Sequence, residues 1–211
     1  MLDEKQYFIG IAGNIGAGKS TLTAMLAQSF KWEAFYEANA ENPYLEDFYQ
    51  DMTRWSFHSQ VFFLGKRLEH HHQIIACPGS AVQDRTVYED AEIFARNLYM
   101  QGQISERDYR AYRNLYQAVQ AFLPPPDLLI YLESSVDTLV QHIQKRGRDY
   151  ERQIERDYLE QLNYLYKTWI EDWTACPILK INTNGLDFQH NPADYQLIVN
   201  QIQQRLFEQS L

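Results

Sequence analysis

Eight residues, "GNIGAGKS" from Gly13 to Ser20, fit G-x-x-x-x-G-K-[ST] directly after the apolar run "YFIGIA". That spacing builds a loop that wraps nucleotide phosphates. Gly13, Gly16 and Gly18 let the backbone turn tightly and present N–H groups to phosphate oxygens. Asn14, Ile15 and Ala17 complete the loop, and Thr21 follows it. Lys19 would reach the β/γ-phosphates, Ser20 would offer its hydroxyl to Mg²⁺, and the helix N-terminus would add its dipole. A nucleoside triphosphate site follows, and the acceptor is left open.

Three other places hold residues with matching chemistry. Glu37, in "FYEANAENPYLEDFY", could take a proton from an attacking hydroxyl. "QDRTVYED" brings Asp84, able to reach metal-bound phosphates, and Arg85, a forked donor for reacting oxygens. "KRGRDYE", Lys145 to Glu151, sets three cations around a glycine, with Arg146 and Arg148 able to close on a transferring phosphoryl group. Taken singly, each has a plainer reading: a surface acid, a structural ion pair, a solvated charge run.

Positioning these groups requires a sheet. Five apolar segments read as strands: Tyr7–Ala12, Trp32–Glu37, Ser80–Asp84, Asp127–Glu133 and Ile178–Ile181. Helical patterns separate them, which predicts an α/β fold with a parallel sheet and helices on both faces. Ligands of such sheets gather at the carboxyl ends of the strands, where Glu37 and Asp84 fall. The first helix should start at Lys19, with Leu22, Met25, Leu26 and Phe30 along one stripe. A later helix carries Leu159, Leu162, Tyr166, Trp169 and Trp173 at similar spacing. Pro124–Pro126 stops a helix before the fourth strand. "EHHHQ", Glu69 to Gln73, reads as a solvated helical face rather than a metal cluster, because adjacent helical histidines point apart.

Bulk properties narrow the classes. The 211 residues are 45% hydrophobic and carry a formal net charge of −9. One domain of this length has a substantial core. The acidic balance argues against a nucleic acid polymer as partner, since backbone binding needs Lys and Arg. Cys77 and Cys176 have no metal-like spacing, which suggests a reducing cytosol. "MLDEKQYFIG" does not read as a signal peptide, and no apolar run approaches a bilayer span, so no membrane association is expected. D-x-x-G and N-K-x-D, expected of a GTPase switch, do not occur. Short length and acidic charge disfavour a large mechanical ATPase. A small kinase for a small acceptor remains.

"GNIGAGKS", "ENPYLEDFYQD", "RWSFHSQVFFLGKR", "QDRTVYEDAEIFARN", "LLIYLE" and "KRGR" occur in the order and spacing of the deoxynucleoside kinase family. The chain resembles that family over roughly residues 7 to 182, most of all its bacterial deoxyadenosine/deoxycytidine kinase branch. The resemblance implies one homodimeric domain over 1–211, a P-loop kinase fold with a five-stranded parallel sheet, ATP as donor, Mg²⁺, and a lid at about 142–152. It implies Glu37 as general base toward a sugar 5′-hydroxyl, with Arg85 and Lys19 beside it. Ser20 and Asp84 would serve Mg²⁺, and Tyr49 and Glu151 would hold the 3′-hydroxyl. Arg146 and Arg148 match lid arginines, and His142 stands where several relatives carry another.

The resemblance also gives a base pocket of Gln60, Arg67 and Asp90, with Phe94 and Phe63 against the ring. Its chemistry can be read independently. Adenine and cytosine present an exocyclic amine beside a ring-nitrogen acceptor, which a Gln amide matches. Asp90, held by Arg67, is a further acceptor for the amine. Guanine and thymine present the reverse polarity, although a Gln can flip to suit either. Deoxyguanosine and a nucleoside monophosphate therefore stay open as acceptors, the latter through Arg67 or Arg54. So does a regulatory subunit that senses ATP or dATP without turnover.

Overall fold

The computed structural model describes residues 5–151 and 154–208. Among them, β1 (Phe8–Gly13), β2 (Glu33–Phe35), β3 (Ala81–Asp84), β4 (Leu128–Glu133) and β5 (Ile178–Asn182) form a sheet in the order β2-β3-β1-β4-β5. Every neighbouring pair is parallel. The helices are α1 (Lys19–Phe30), α2 (Leu45–Gln50), α3 (Met52–Ala76), α4 (Val87–Glu89), α5 (Arg96–Met100), α6 (Glu106–Gln120), α7 (Val136–Arg146), α8 (Arg156–Asp172) and α9 (Pro192–Glu208). This is the expected α/β architecture.

The strand period of two distributes the core. Ile9, Ile11, Leu128, Ile130 and Leu132 point to one face, where Leu22 and Leu26 of α1, Leu139 of α7 and Ile198 and Ile202 of α9 cover them. Leu129 and Tyr131 point to the other, against Leu64 of α3, Tyr112 of α6 and Leu162 and Tyr166 of α8. Burying a side chain of this size is worth about 1.5–3 kcal/mol, so both layers are fixed by the sheet's own alternation. Met25 and Phe30 pack at the edge of the first layer. Trp173 falls one residue past α8 and packs edge-on to Tyr88, centroids 4.8 Å apart.

Two expectations need correction. The second strand is shorter than Trp32–Glu37: it pairs with β3 only from Glu33 to Phe35. Trp32 belongs instead to the C-terminal turn of α1, its N–H on Ala27 O and its ring stacked on Phe30. Tyr36 is solvent-exposed, and Glu37 lies two residues beyond the strand. The three histidines do not form one solvated face. His71 is buried edge-on against Phe8, centroids 5.3 Å apart, with the Pro124 backbone as hydrogen-bond partner. His70 leans on Phe35, and only His72 is exposed. Burial holds the rings of His70 and His71 below the usual imidazole range.

Between α4 and α5 the chain makes a π-helical segment, Asp90–Ala95. Such widened turns are rare and concentrate at functional sites. Here the segment carries Asp90 and Phe94.

Candidate active site

A cavity of about 670 Å³ opens over the carboxyl ends of β1, β2 and β3. The phosphate loop forms its floor, between the end of β1 and the start of α1. Gly16 and Gly18 have φ of 84° and 90°, which side-chain-bearing residues rarely adopt. A Cβ on Gly16 would stand 2.9 Å from Leu139 O, and one on Gly18 2.9 Å from the Phe188 ring. Ile15, Gly16, Gly18, Lys19, Ser20 and Thr21 line the cavity. Gly13, Asn14 and Ala17 are not on its wall. Asn14 instead organises the loop from behind: its carbonyl accepts from Ala17 N and Lys19 Nζ, and its side chain accepts from Ile15 N. Burial, assisted by Arg85, lowers the Lys19 ammonium to about 8, against the pull of Asp84, Glu37 and Glu89.

Ser20 Oγ donates to Asp84 Oδ2 at 2.5 Å. The other oxygen, Asp84 Oδ1, is buried without a hydrogen-bond partner. An unpaired buried carboxylate oxygen next to a hydroxyl, beside a phosphate loop, is the hard oxygen donor set that Mg²⁺ selects. The residues fit that ion.

Beside it lies an ionic cluster with Glu37 at its centre. Glu37 Oε1 is 2.7 Å from Arg85 Nε and accepts from Arg67 NH2 at 3.1 Å, while Asn39 donates to Oε2 at 3.0 Å. Burial alone would raise this carboxyl. Arg85, Arg67 and Lys19, with the Asn39 hydrogen bond, outweigh it and hold Glu37 at about 2. Arg85 sits in the left-handed region at φ 67°, with its guanidinium 4.2 Å from the Phe94 ring centroid.

Gln60 and Phe63 of α3, with Asp90 and Phe94 of the π segment, line the same cavity, and so does Tyr49 of α2. Arg67 is not on the wall. It lies 2% exposed behind Asp90 and Glu37, giving Nε to Asp90 Oδ2, NH1 to Asp84 O and NH2 to Glu37. Gln60 Oε1 is buried without a partner. Burial raises the Asp90 carboxyl to about 6, against the pull of Arg67 and Arg85. The wall thus offers acceptors, and the cation that supports them stays behind it.

Arg146 and Arg148, the expected lid arginines, meet on Glu151, which is buried. Arg146 donates Nε and NH2 to its Oε2 at 2.9 and 2.7 Å, and Arg148 NH1 reaches Oε1 at 3.3 Å. His142 Nδ1 lies 2.8 Å from Gly16 O, and since a carbonyl only accepts, that nitrogen carries the proton. The histidine therefore ties α7 to the phosphate loop. Residue 152, at the end of the expected lid, lies outside the described residues.

Several wall and support residues were missed from the sequence. Asn39 steadies Glu37, Tyr158 lines the cavity, and Thr183 with residues 185–190 forms the wall facing α7. Buried Glu89 closes a capping box with Thr86. The T-x-x-E spacing signals such a box and could have located it.

The deoxynucleoside kinase family model matches residues 9–207. The chain is 40% identical over 200 residues to a deoxyadenosine/deoxycytidine kinase of Bacillus subtilis, covering 94% of this chain and 92% of that protein. It is 33% identical over 204 residues to a deoxyguanosine kinase of the same organism, covering 93% of this chain and 96% of that one. A solved structure of deoxyadenosine kinase from M. mycoides, with the products dCMP and a flexible dCDP bound, superposes with a TM-score of 0.84 at 32% identity, covering 93% of this chain and 99% of the other. The family model spans nearly the whole chain and the relatives cover it almost end to end, so the chain belongs to the deoxynucleoside kinase family.

Proposed function

We propose that this chain transfers the γ-phosphoryl group of ATP–Mg²⁺ to the 5′-hydroxyl of deoxyadenosine or deoxycytidine. The observation that carries the reading is one cavity joining the phosphate loop to ionised Glu37 and to an acceptor wall of Gln60 and Asp90. A base with an exocyclic amine supplies the donor that Gln60 Oε1 lacks. Phe63 and Phe94 offer faces for the ring. Tyr49 and Glu151 bound the sugar end, which favours deoxyribose over ribose.

Ser20 and Asp84 would hold Mg²⁺, which when bound neutralises phosphate charge. Lys19 and Arg85 set positive charge beside the loop and the acceptor oxygen, and the lid arginines Arg146 and Arg148 stand at the rim. A carboxyl at about 2 is a weak base. Glu37 therefore orients the 5′-hydroxyl by accepting its hydrogen bond and takes the proton late, which suits a loose phosphoryl-transfer transition state. A nucleoside monophosphate acceptor is disfavoured, because Arg67 is buried in three hydrogen bonds and Arg54 stacks on Trp55 away from the cavity.

We read the chain as one kinase domain and as a homodimer in the cytosol. Helices α3 and α6 pack together, and each leaves a large apolar side chain in solvent, Ile75 and Leu115. The cysteines are free, and no described helix is long and apolar enough to cross a membrane. Light scattering should give twice the chain mass, and a monomer would refute the dimer.

Initial rates with ATP–Mg²⁺ on deoxyadenosine, deoxycytidine, deoxyguanosine, thymidine, adenosine and dTMP test the substrate. Strong activity on the first two supports the amine-reading wall. Preference for deoxyguanosine overturns the polarity while keeping the chemistry. No turnover moves the chain to nucleotide sensing.

A further inference from the structure

Tyr166 has no exposed surface and no place on the cavity wall, yet its hydroxyl joins three functional groups. It lies 2.8 Å from Gly13 O and 2.7 Å from Glu89 Oε1, and it accepts from Arg85 NH1 at 2.9 Å. Glu89 Oε1 also accepts the Gly13 amide at 3.2 Å and lies 3.7 Å from Arg85 NH1. Its second oxygen accepts from Thr86 N at 2.8 Å. The first residue of the phosphate loop and the arginine after β3 are thus joined to each other through one phenol and one carboxylate.

A second pair of contacts comes from the same helix. Asn14 Nδ2 donates to Leu159 O at 2.9 Å and to Asn163 Oδ1 at 2.8 Å. Residues 159, 163 and 166 share one face of α8 by the i, i+4, i+7 rule. Asn163 is itself tied to Ser134 O at the end of β4. Helix α8 therefore holds the rear of the loop at two successive residues, and through Tyr166 it also holds Arg85.

Arg85 needs such support. Its left-handed backbone is uncommon for a residue with a side chain, and its guanidinium answers to Glu37 on one side and to Glu89 and Tyr166 on the other. The phenol is suited to the task. Burial pushes it well above the usual tyrosine range, so it keeps its one proton, which Gly13 O and Glu89 Oε1 share, while its lone pair takes the Arg85 N–H.

We propose that Tyr166, together with Glu89, is a positioning residue for phosphoryl transfer: its hydroxyl sets Arg85 in register with the start of the phosphate loop. Donor and acceptor sites each bind through their own groups. The Tyr166–Glu89 link governs how well the two are aligned when the phosphoryl group moves. The proposal deepens the kinase reading above and rests on it.

Tyr166→Phe tests it, since the ring keeps its neighbours Tyr131 and Trp169. The expected result is kcat lower by about tenfold or more, with KM for ATP and for the best acceptor changed by less than about threefold. In an Arg85→Lys background the same substitution should cost almost nothing further, because both act on one alignment. Amide exchange across residues 13–20 should speed up while the global melting temperature moves by only a few degrees. A kcat within about twofold of native, or an equal loss in both backgrounds, overturns the proposal. So does a fall in melting temperature with kcat untouched, the mark of a purely structural tyrosine. If the native chain phosphorylates no acceptor, the kinase reading fails, and the exchange experiment still decides the link: faster loop exchange supports it and unchanged exchange refutes it.

Discussion

The Nε of Arg85 lies 2.7 Å from Oε1 of Glu37, and that contact keeps the carboxylate ionised inside a cavity that would otherwise neutralise it. Arg67 meets the same oxygen from behind, so two guanidinium groups converge on one atom. Truncating one partner of a buried pair costs roughly 3–5 kcal/mol in comparable settings. The cluster is thus a stability element as well as the proposed acceptor end of the site.

Glu37→Gln keeps the size and removes the charge. Turnover should fall on the order of 10²- to 10⁴-fold, with ATP affinity kept within a few-fold. Steady-state kinetics with a binding isotherm for ATP checks this, and near-native turnover would remove Glu37 from the reaction.

Lys19 titrates at about 8 in the free protein. As pH rises through that value the ammonium is lost, and kcat/KM for ATP should decline. Bound phosphates restore the charge, so kcat should stay flat to higher pH. Matching alkaline limbs in the two profiles would contradict this.

Asp90 titrates at about 6, above its ordinary 3.8. Below about 6 it gains a proton and ceases to be a full acceptor, so KM for deoxyadenosine should rise as pH falls from 7 to 5. The stability sign is separate. The folded state holds this proton more tightly than the unfolded chain, so the contribution is complete below about 3.8 and is lost as pH rises through about 6. Asp90→Asn removes that dependence. Denaturation of native and variant at pH 4 and 7 should show the variant gaining on the native by an amount on the order of 2 kcal/mol between the two.

Gly16→Ala places a methyl 2.9 Å from Leu139 O, a backbone atom that cannot swing away, at a φ of 84°. A cost of about 1–2 kcal/mol from the backbone conformation alone is expected, and KM for ATP should rise. Thermal denaturation and ATP kinetics test the two halves.

Asp84→Asn should raise the Mg²⁺ concentration needed for half-maximal rate by about tenfold or more, with the melting temperature little changed. A Mg²⁺ titration at saturating substrates decides it.

Much of this was legible in the sequence because it rests on local rules. The strand alternation around Ile9, Ile11 and Leu129, and the loop glycines, follow from periodicity and backbone freedom. Glu37 and Arg85 were placed by their position after apolar segments. What escaped depends on contacts distant in sequence. Nothing near Tyr166 announces that it meets Gly13, 153 residues away. Within the stripe of α8 it looks like any core aromatic, and its ring is one. The resemblance puts Arg67 in a pocket wall, whereas its three donors all find protein acceptors and draw it behind. Adjacent helical histidines point apart, which predicts a solvated face, yet Phe8 and Pro124 come from elsewhere in the chain to cover His71.

The sheet order has a consequence for how such a site can diversify. β2, β3 and β1 are adjacent strands about 4.8 Å apart, so Asp84 and Gly13, which end β3 and β1, and Arg85 and Glu37, one residue past β3 and two past β2, leave one hydrogen-bonded lattice side by side. Gln60 and Phe63, by contrast, hang from α3, outside that lattice. The groups proposed for transfer and much of the wall proposed to read the base therefore rest on separate scaffolds. Substitution on the helix can retune which base is accepted while the spacing of the reacting groups stays fixed, and one framework can host a set of related acceptors without reinventing its chemistry.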